Sequence, residues 1–224
     1  CYAPKPGYRP DGNCRACMVE IEGERVLAAS CIRKPTAGMK VKTASDRAKA
    51  SRKMVFELLM ADQPDRNVAH DPDSKFWNWA DRLDIADSRF PDREMPSSDR
   101  SHPAMAVNLD ACINCNLCVR ACREVQVNDV IGMAGRAAHA KIVFDLDDPM
   151  GRSTCVACGE CVQACPTGAL MPSTLVDAAN VRTGFPDRSV DSVCPYCGVG
   201  CQLTYHIKDD KLLYVTGREG PANE

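Results

Sequence analysis

Apolar residues recur along this chain with two periods, and each change of period marks a change of element. "MVEIEG" (18–23) and "RVLAAS" (25–30) alternate around Glu22-Gly23, the pattern of a hairpin with one buried face. "TASDRAKASRKMVFELLMAD" (43–62) shifts to helical spacing, with Ala48, Val55, Leu58 and Leu59 on one stripe. Thr43 with Asp46 has the form of a capping box, and Gln63-Pro64 stops the helix. A second helix is expected from near Pro72, carrying Phe76, Trp79, Ala80 and Leu83 on one side as packing between modules. "PDREMPSSDRSHP" (91–103) is polar and proline-rich, a linker. Beyond it, "AMAVNLD" (104–110) and "KIVFDLDD" (141–148) are short β-prone segments. "QLTYHI", the turn "KDD" and "KLLYVTG" (202–217) read as a second alternating hairpin.

These elements are short, and aromatics make up only 5% of 224 residues, little for one large core. Fifteen cysteines point instead to several small modules, each organised around something other than apolar burial. A net charge of −2 gives no electrostatic case for nucleic acid or an anionic membrane, and no apolar run is long enough for a membrane span. Arg47, Lys49, Arg52 and Lys53 are read as a solvated helix face, with an acidic docking partner as the alternative. The chain opens on Cys1 without an initiator Met, so it is expected to be a fragment cut at its N-terminal end.

The spacing of the cysteines favours metal over disulfides, because close C-x2-C pairs converge well on a metal. "CINCNLCVRAC" (112–122) and "CVACGECVQACP" (155–166) are one pattern written twice, C-x2-C-x2-C-x3-C. Each repeat reads as a strand, a cluster loop and the start of a helix. Three thiolates on a tight loop suit three corners of one [4Fe–4S] cube, while the fourth, opening a helix, reaches the cube of the other half. One cube is therefore assigned to Cys112, Cys115, Cys118 and Cys165, the other to Cys155, Cys158, Cys161 and Cys122. Pro166 follows the last ligand and "TGAL" (167–170) makes the turn. Two zinc knuckles are the alternative, but zinc ribbons separate their C-x2-C units, and here four cysteines run together. The module resembles the bacterial two-cluster ferredoxins.

Upstream, "CYAPKPGYRPDGNCRACMVEIEGERVLAASC" (1–31) spaces its cysteines C-x12-C-x2-C-x13-C, unlike the plant-type [2Fe–2S] pattern. It is similar to the variant [2Fe–2S] domain of the complex I large subunit, iron-only hydrogenases and NAD-linked formate dehydrogenases, with a slightly longer first spacer. That resemblance implies Cys1, Cys14, Cys17 and Cys31 as ligands in a β-grasp fold, with Gly12 letting the backbone wrap the cluster. A four-cysteine zinc site is the alternative. In complex I relatives a His and three cysteines further along bind another cluster. "VAHDPDSKFWNWADRLDIADSRF" (68–90) offers His70 and no cysteine, so that site is expected to be absent and His70 to be a loop histidine.

Cys194, Cys197 and Cys201 remain, spaced C-x2-C-x3-C in "SVCPYCGVGCQLTYHI" (192–207). Followed by a hairpin, this resembles the start of the molybdenum/tungsten bis-pterin oxidoreductases, and "CPYCGVGC" is closest to formate dehydrogenase wording. The resemblance implies a third [4Fe–4S] cube whose fourth ligand lies beyond Glu224; a partial zinc site or free thiols is the alternative.

The expected architecture is multi-module α+β. Residues 1–43 form a β-grasp [2Fe–2S] domain lacking its N-terminus, and 44–100 a helical connector. Residues 101–175 form a two-[4Fe–4S] ferredoxin domain, and 188–224 begin a molybdopterin oxidoreductase 4Fe–4S domain. Together they resemble the catalytic subunit of a cytoplasmic, NAD-linked, molybdenum- or tungsten-dependent formate dehydrogenase. That implies a metal–bis-pterin guanine dinucleotide site downstream, a flavin- and NAD-binding diaphorase-type partner subunit, and no catalytic residue within this stretch. Complex I-type or hydrogenase-type subunits, and a stand-alone polyferredoxin carrier, are the competing readings.

Overall fold

The computed structural model describes residues 8–223. Cys1, the first expected ligand, lies outside them. Three short antiparallel strands, β1 (Met18–Ile21), β2 (Ala28–Ala29) and β3 (Val41–Lys42), lie in the order β2-β1-β3. Val19 and Ile21 turn inward and Met18 and Glu20 stay half-exposed, as the alternation requires. Helix α1 (Asp46–Met60) packs on β1. Its cap is Ser45, whose hydroxyl accepts from the Ala48 N–H at 3.3 Å. Thr43, the expected cap, is still leaving β3, where Lys42 pairs with Glu20.

The apolar stripes of both helices differ from expectation. α1 buries Ala48, Phe56, Glu57 and Met60, while Leu58 is 49% exposed. Its C-terminal half faces α2 (Lys75–Arg82) rather than the sheet: Phe56 and Phe76 stack at 5.8 Å and Trp77 meets Phe76 edge-on at 5.2 Å. Trp77 is thus 6% exposed, and Trp79 stays 51% exposed beneath Arg82. Over two turns the sets 76/79/80 and 76/77/80 are equally helical; tertiary partners choose between them. Glu57 is buried because Arg89 Nε holds its carboxylate at 2.7 Å.

The duplicated module follows. Its strands and helices are β4 (Met105–Val107), α3 (Leu117–Arg120), β5 (Ile131–Ala134), β6 (Lys141–Phe144), α4 (Glu160–Ala164) and β7 (Leu170–Pro172). The two foreseen strands are β4 and β6, which pair antiparallel with β7 and β5. The fourth cysteine of each run does not open a helix. Cys118 and Cys161 already lie inside α3 and α4, Cys122 sits in a wide turn (Ala121–Val125) continuing α3, and Cys165 caps α4 in an extended conformation. Val107, Leu117, Ile131, Ile142, Phe144 and Leu170 form the core around them. The connector is docked on this module: Gln63 Nε2 donates to the Ala111 carbonyl (2.8 Å), Arg93 to that of Leu109 (3.0 Å), and the Phe76 N–H to that of Pro166 (3.0 Å).

A three-stranded antiparallel sheet ends the chain, β8 (Arg188–Val193), β9 (Gln202–Lys208) and β10 (Lys211–Gly217), in the order β10-β9-β8. Asp209 and Asp210, both left-handed, form the β9–β10 turn. β8 was not foreseen; Val190 and Val193 are exposed, so the strand has no buried face to advertise it.

Candidate metal centres

The two ferredoxin loops repeat in backbone as well as in sequence. Asn114 and Asn116 are left-handed in the first, Ala157 and Gly159 in the second, at the same offsets from Cys112 and Cys155. Left-handed backbone costs roughly 1–2 kcal/mol for a residue with a Cβ, so Ala157 records a demand of the loop rather than a preference of its side chain. In return each loop turns an N–H onto its first sulfur: Asn114 N to Cys112 Sγ and Ala157 N to Cys155 Sγ, both 3.4 Å. The Val130 N–H does the same for Cys122 Sγ at 3.3 Å.

The thiols gather in crossed sets. Cys112, Cys115 and Cys118 line one cavity with Cys165 from the other repeat and walls from Ile142 and Leu170. Cys155, Cys158 and Cys161 line a second with Cys122 from the first repeat and walls from Met105 and Ile131. Burial pushes Cys112 up to about 11 and Cys115 and Cys161 up to about 12, with neighbouring thiols adding to it. Cys118 is driven well above its usual value for the same reasons. Four thiols on an apolar wall fit a cubane, whose iron would supply the positive charge the cavities lack and displace the protons. Among the described residues no three His, Cys, Asp or Glu side chains converge as a single-ion site. Cys158 alone of these eight is exposed.

At the N-terminal site the structure brings Cys17 and Cys31 together. Burial works against the Cys17 thiolate, but donors from Cys31 and Ser30 outweigh it and lower its pKa, while burial and Cys17 raise that of Cys31. Cys14 lies on the same loop, half-buried, one residue before left-handed Arg15. Gly12 lies against the residue after Cys31: a Cβ there would meet Ile32 Cδ1 at 2.7 Å. This module touches both ferredoxin loops. Asn13 Nδ2 donates to the Asn114 carbonyl (3.3 Å), Tyr8 OH to Glu160 Oε1 (2.9 Å), and Asp11 Oδ2 lies 3.4 Å from buried Arg120 Nη1.

Cys194, Cys197 and Cys201 share one loop between β8 and β9, closed by the Cys194 N–H donating to the Cys201 carbonyl at 2.8 Å. Gly198 and Gly200, with φ of 75° and 84°, supply the curl. The chain returns here after β10: Cys201 Sγ donates to the Ala222 carbonyl at 3.6 Å, and Asn223 is bonded to both backbone groups of Gln202.

His70 lies in the loop that precedes α2, but it is buried there. It is 7% exposed, with Nδ1 2.8 Å from the Asn180 carbonyl and Nε2 2.8 Å from Asp110 Oδ2. Burial opposes its charge, but Asp110 and Asn180 outweigh it and hold the pKa above the usual value. Asn180 Nδ2 in turn donates to Asn108 Oδ1 (2.9 Å), and Asn108 Nδ2 to the Gly168 carbonyl (2.9 Å). This network, tying connector to ferredoxin module just before Cys112, was not foreseen. Its one signal was an asparagine inside the apolar run "AMAVNLD".

Comparison with known families matches three domains in order: "2Fe-2S iron-sulfur cluster binding domain" (1–46), "4Fe-4S dicluster domain" (111–169) and "Molybdopterin oxidoreductase Fe4S4 domain" (187–224). Among curated proteins the chain is 27% identical to a provisionally named formate dehydrogenase of Staphylococcus haemolyticus, over 100% of this chain and 26% of the relative. It is 30% identical to an NADH-quinone oxidoreductase subunit of Rhizobium meliloti, over 92% of this chain and 24% of that one. It is 33% identical to the HndD subunit of an NADP-reducing hydrogenase of Solidesulfovibrio fructosivorans, over 80% of this chain and 31% of that one. The chain thus spans about a quarter to a third of these relatives. A solved NAD+-reducing [NiFe]-hydrogenase shares the fold, with TM-score 0.64 and 24% identity over 77% of this chain and 76% of that one. The chain is an iron–sulfur electron-transfer module of the oxidoreductase type, with a [2Fe–2S] domain, a two-cluster 4Fe–4S domain and a molybdopterin-oxidoreductase Fe4S4 domain in series.

Proposed function

We propose that these residues are the electron-conducting part of the catalytic subunit of a molybdenum- or tungsten-dependent, NAD-linked formate dehydrogenase. The observation carrying the proposal is the domain order, ending in a molybdopterin-oxidoreductase Fe4S4 domain, combined with the crossed thiol sets. Cys112, Cys115, Cys118 and Cys165 hold one [4Fe–4S] cluster, and Cys122, Cys155, Cys158 and Cys161 the other. Cys14, Cys17 and Cys31 hold a [2Fe–2S] cluster with Cys1, and Cys194, Cys197 and Cys201 a third [4Fe–4S] cluster with a ligand from outside these residues. The proposed boundaries are 1–43, 44–100, 101–175 and 188–224.

Such clusters, when bound, carry single electrons. The chain's own residues hold and insulate them. Ile142, Leu170, Met105 and Ile131 exclude water from the ferredoxin cavities, and backbone N–H groups on Cys112, Cys122 and Cys155 favour the reduced state. Formate oxidation to CO2 takes place at a bis-pterin guanine dinucleotide site outside this stretch, in the cytoplasm. Electrons leave through the N-terminal module to a flavin- and NAD-binding subunit. The bond between Asn13 and the Cys112–Cys115 loop supports that exit.

A complex I-type subunit is the second reading, since a component of NADH-quinone oxidoreductase is among the relatives. His70 weighs against it, because both ring nitrogens are committed to Asp110 and Asn180 and no cysteine lies beside it in sequence. Formate added anaerobically to the full-length enzyme should reduce the clusters, read by their EPR signals. Reduction by NADH or H2 with none by formate would refute the proposal.

A further inference from the structure

The two ferredoxin loops repeat each other in backbone, yet the side chains that hold them differ in charge. The run 108–112, which leads into Cys112, is clamped from the connector. Gln63 Nε2 donates to the Ala111 carbonyl at 2.8 Å. Arg93 Nη2 lies 3.0 Å from the carbonyl oxygen of Leu109 and 3.5 Å from those of Asp110 and of Cys112 itself. The run into Cys155 is held instead by an acid: Asp145 accepts from the Thr154 N–H at 2.6 Å and from its hydroxyl at 3.0 Å. A cation thus supports the first loop and a carboxylate the second.

Arg93 belongs to a stretch that reads as a plain polar linker, but its placement is fixed. Its backbone N–H donates to the Ala61 carbonyl at the end of α1 (3.0 Å), and its side chain is 15% exposed. Asp62 Oδ1, 3.6 Å from Nε, is its partner, and the pairing is loose: that Nε is buried without a hydrogen bond. Asp110, the other acid on this run, is bonded to His70. Burial pushes the Cys112 thiol up; the Asn114 N–H opposes this, Cys165 adds to it, and Arg93 outweighs Asp62. The groups that act most on Cys161 in the second cavity, after burial, are the thiols of Cys158, Cys155 and Cys122.

We infer that Arg93 is a positioning residue that raises the reduction potential of the first ferredoxin cluster above that of the second. This rests on the reading of the two cavities as [4Fe–4S] sites and adds a direction to the electron flow between them. Four thiolates leave a loaded cubane negative overall, and reduction adds one more negative charge. A guanidinium keeps its charge at any working pH, so beside the carbonyl of a ligand it favours the reduced cube. The carboxylate of Asp145, next to the residue before Cys155, acts with the opposite sign. One electron then passes from the reduced second cube to the oxidised first; no bond forms or breaks. The first cube's loop is the one that Asn13 of the N-terminal module touches, so the step leads towards that module.

The test is an anaerobic potentiometric titration of the full-length, cluster-loaded protein, read by EPR. Cys115→Ala and Cys158→Ala, each removing a ligand of one cube, assign the signals. The first cube should reduce at the higher potential. Arg93→Gln should shift its one-electron equilibrium about tenfold towards the oxidised form, a fall of about 59 mV, and leave the second cube unmoved. Arg93→Lys, which keeps the charge, should shift it less, and Asp62→Asn should raise it. Gln63→Ala, which removes a neutral clamp, should lower the urea midpoint without moving either potential. A first cube of lower potential than the second, or one unmoved in Arg93→Gln, would overturn the inference. So would an equal shift of both cubes in that variant, or an equal shift of the first in Gln63→Ala. If Arg93→Gln does not load its first cube, Asp62→Asn decides, and an unmoved or lowered potential there overturns it. Zinc without iron in the unsubstituted protein would refute the cluster reading instead.

Discussion

Replacing Cys122 by alanine separates the crossed thiol sets from a grouping by sequence. Cys122 lies four residues after Cys118, yet lines the cavity of Cys155, Cys158 and Cys161, with its sulfur accepting from Val130 N–H at 3.3 Å. Removing one buried sulfur atom costs the packing only about 1 kcal/mol, by analogy with small core truncations. Structural metal sites contribute on the order of 10 kcal/mol, so a large effect would come from the cluster and not the cavity. We expect Cys122→Ala to lose about four irons, all from the second cavity, by comparison with a [4Fe–4S] content of four. The first cavity's signal should survive, and Cys165→Ala should do the reverse. Iron counts with EPR of the reduced protein decide it. Loss of the Cys112–Cys118 cluster in Cys122→Ala would refute the crossed assignment.

His70→Ala should leave the iron content and every EPR signal unchanged, because its ring is spent on Asp110 and Asn180; loss of one cubane would contradict that. With the folded-state pKa of His70 raised, its stabilisation is complete below an unfolded value of about 6.5 and is lost as pH rises through the folded value. Denaturant midpoints of the metal-free protein should therefore drop over that window, and His70→Gln should flatten the drop. Trp77→Ala, in the α1–α2 core, should cost about 3–5 kcal/mol and Trp79→Ala under about 1, measured by urea unfolding; equal losses would contradict the packing. Under air the Cys194–Cys201 cluster should go first, since this stretch offers it three thiols where each ferredoxin set has four, and a chain carrying the next downstream cysteine should retain it; equal lability would count against a missing fourth ligand.

Periodic signals in the sequence located the first hairpin, α1, β4 and β6, because each has a buried face that imposes a pattern. They failed where tertiary partners choose among equivalent faces, as with Trp77 over Trp79, and they passed over β8, whose run RSVDSV is mostly polar. The cysteine spacing carried the candidate site, and in the structure Cys165 lines the cavity of Cys112, Cys115 and Cys118 while Cys122 lines that of Cys155, Cys158 and Cys161. Spacing is silent on the supporting shell. The Asn108–Asn180–His70–Asp110 network joins residues up to 110 positions apart, and no local pattern encodes such a bond. The left-handed Ala157 was equally hidden, because the loop imposes it against residue preference.

Iron, acid-labile sulfide and zinc, measured with Mössbauer spectra on the anaerobically reconstituted 224-residue chain, test the central claim most directly. About ten irons with matching sulfide, divided between one [2Fe–2S] and two [4Fe–4S] centres, are expected, with up to about four more in a labile third cube. Zinc bound at about one ion per cysteine set, with no labile sulfide, would contradict it.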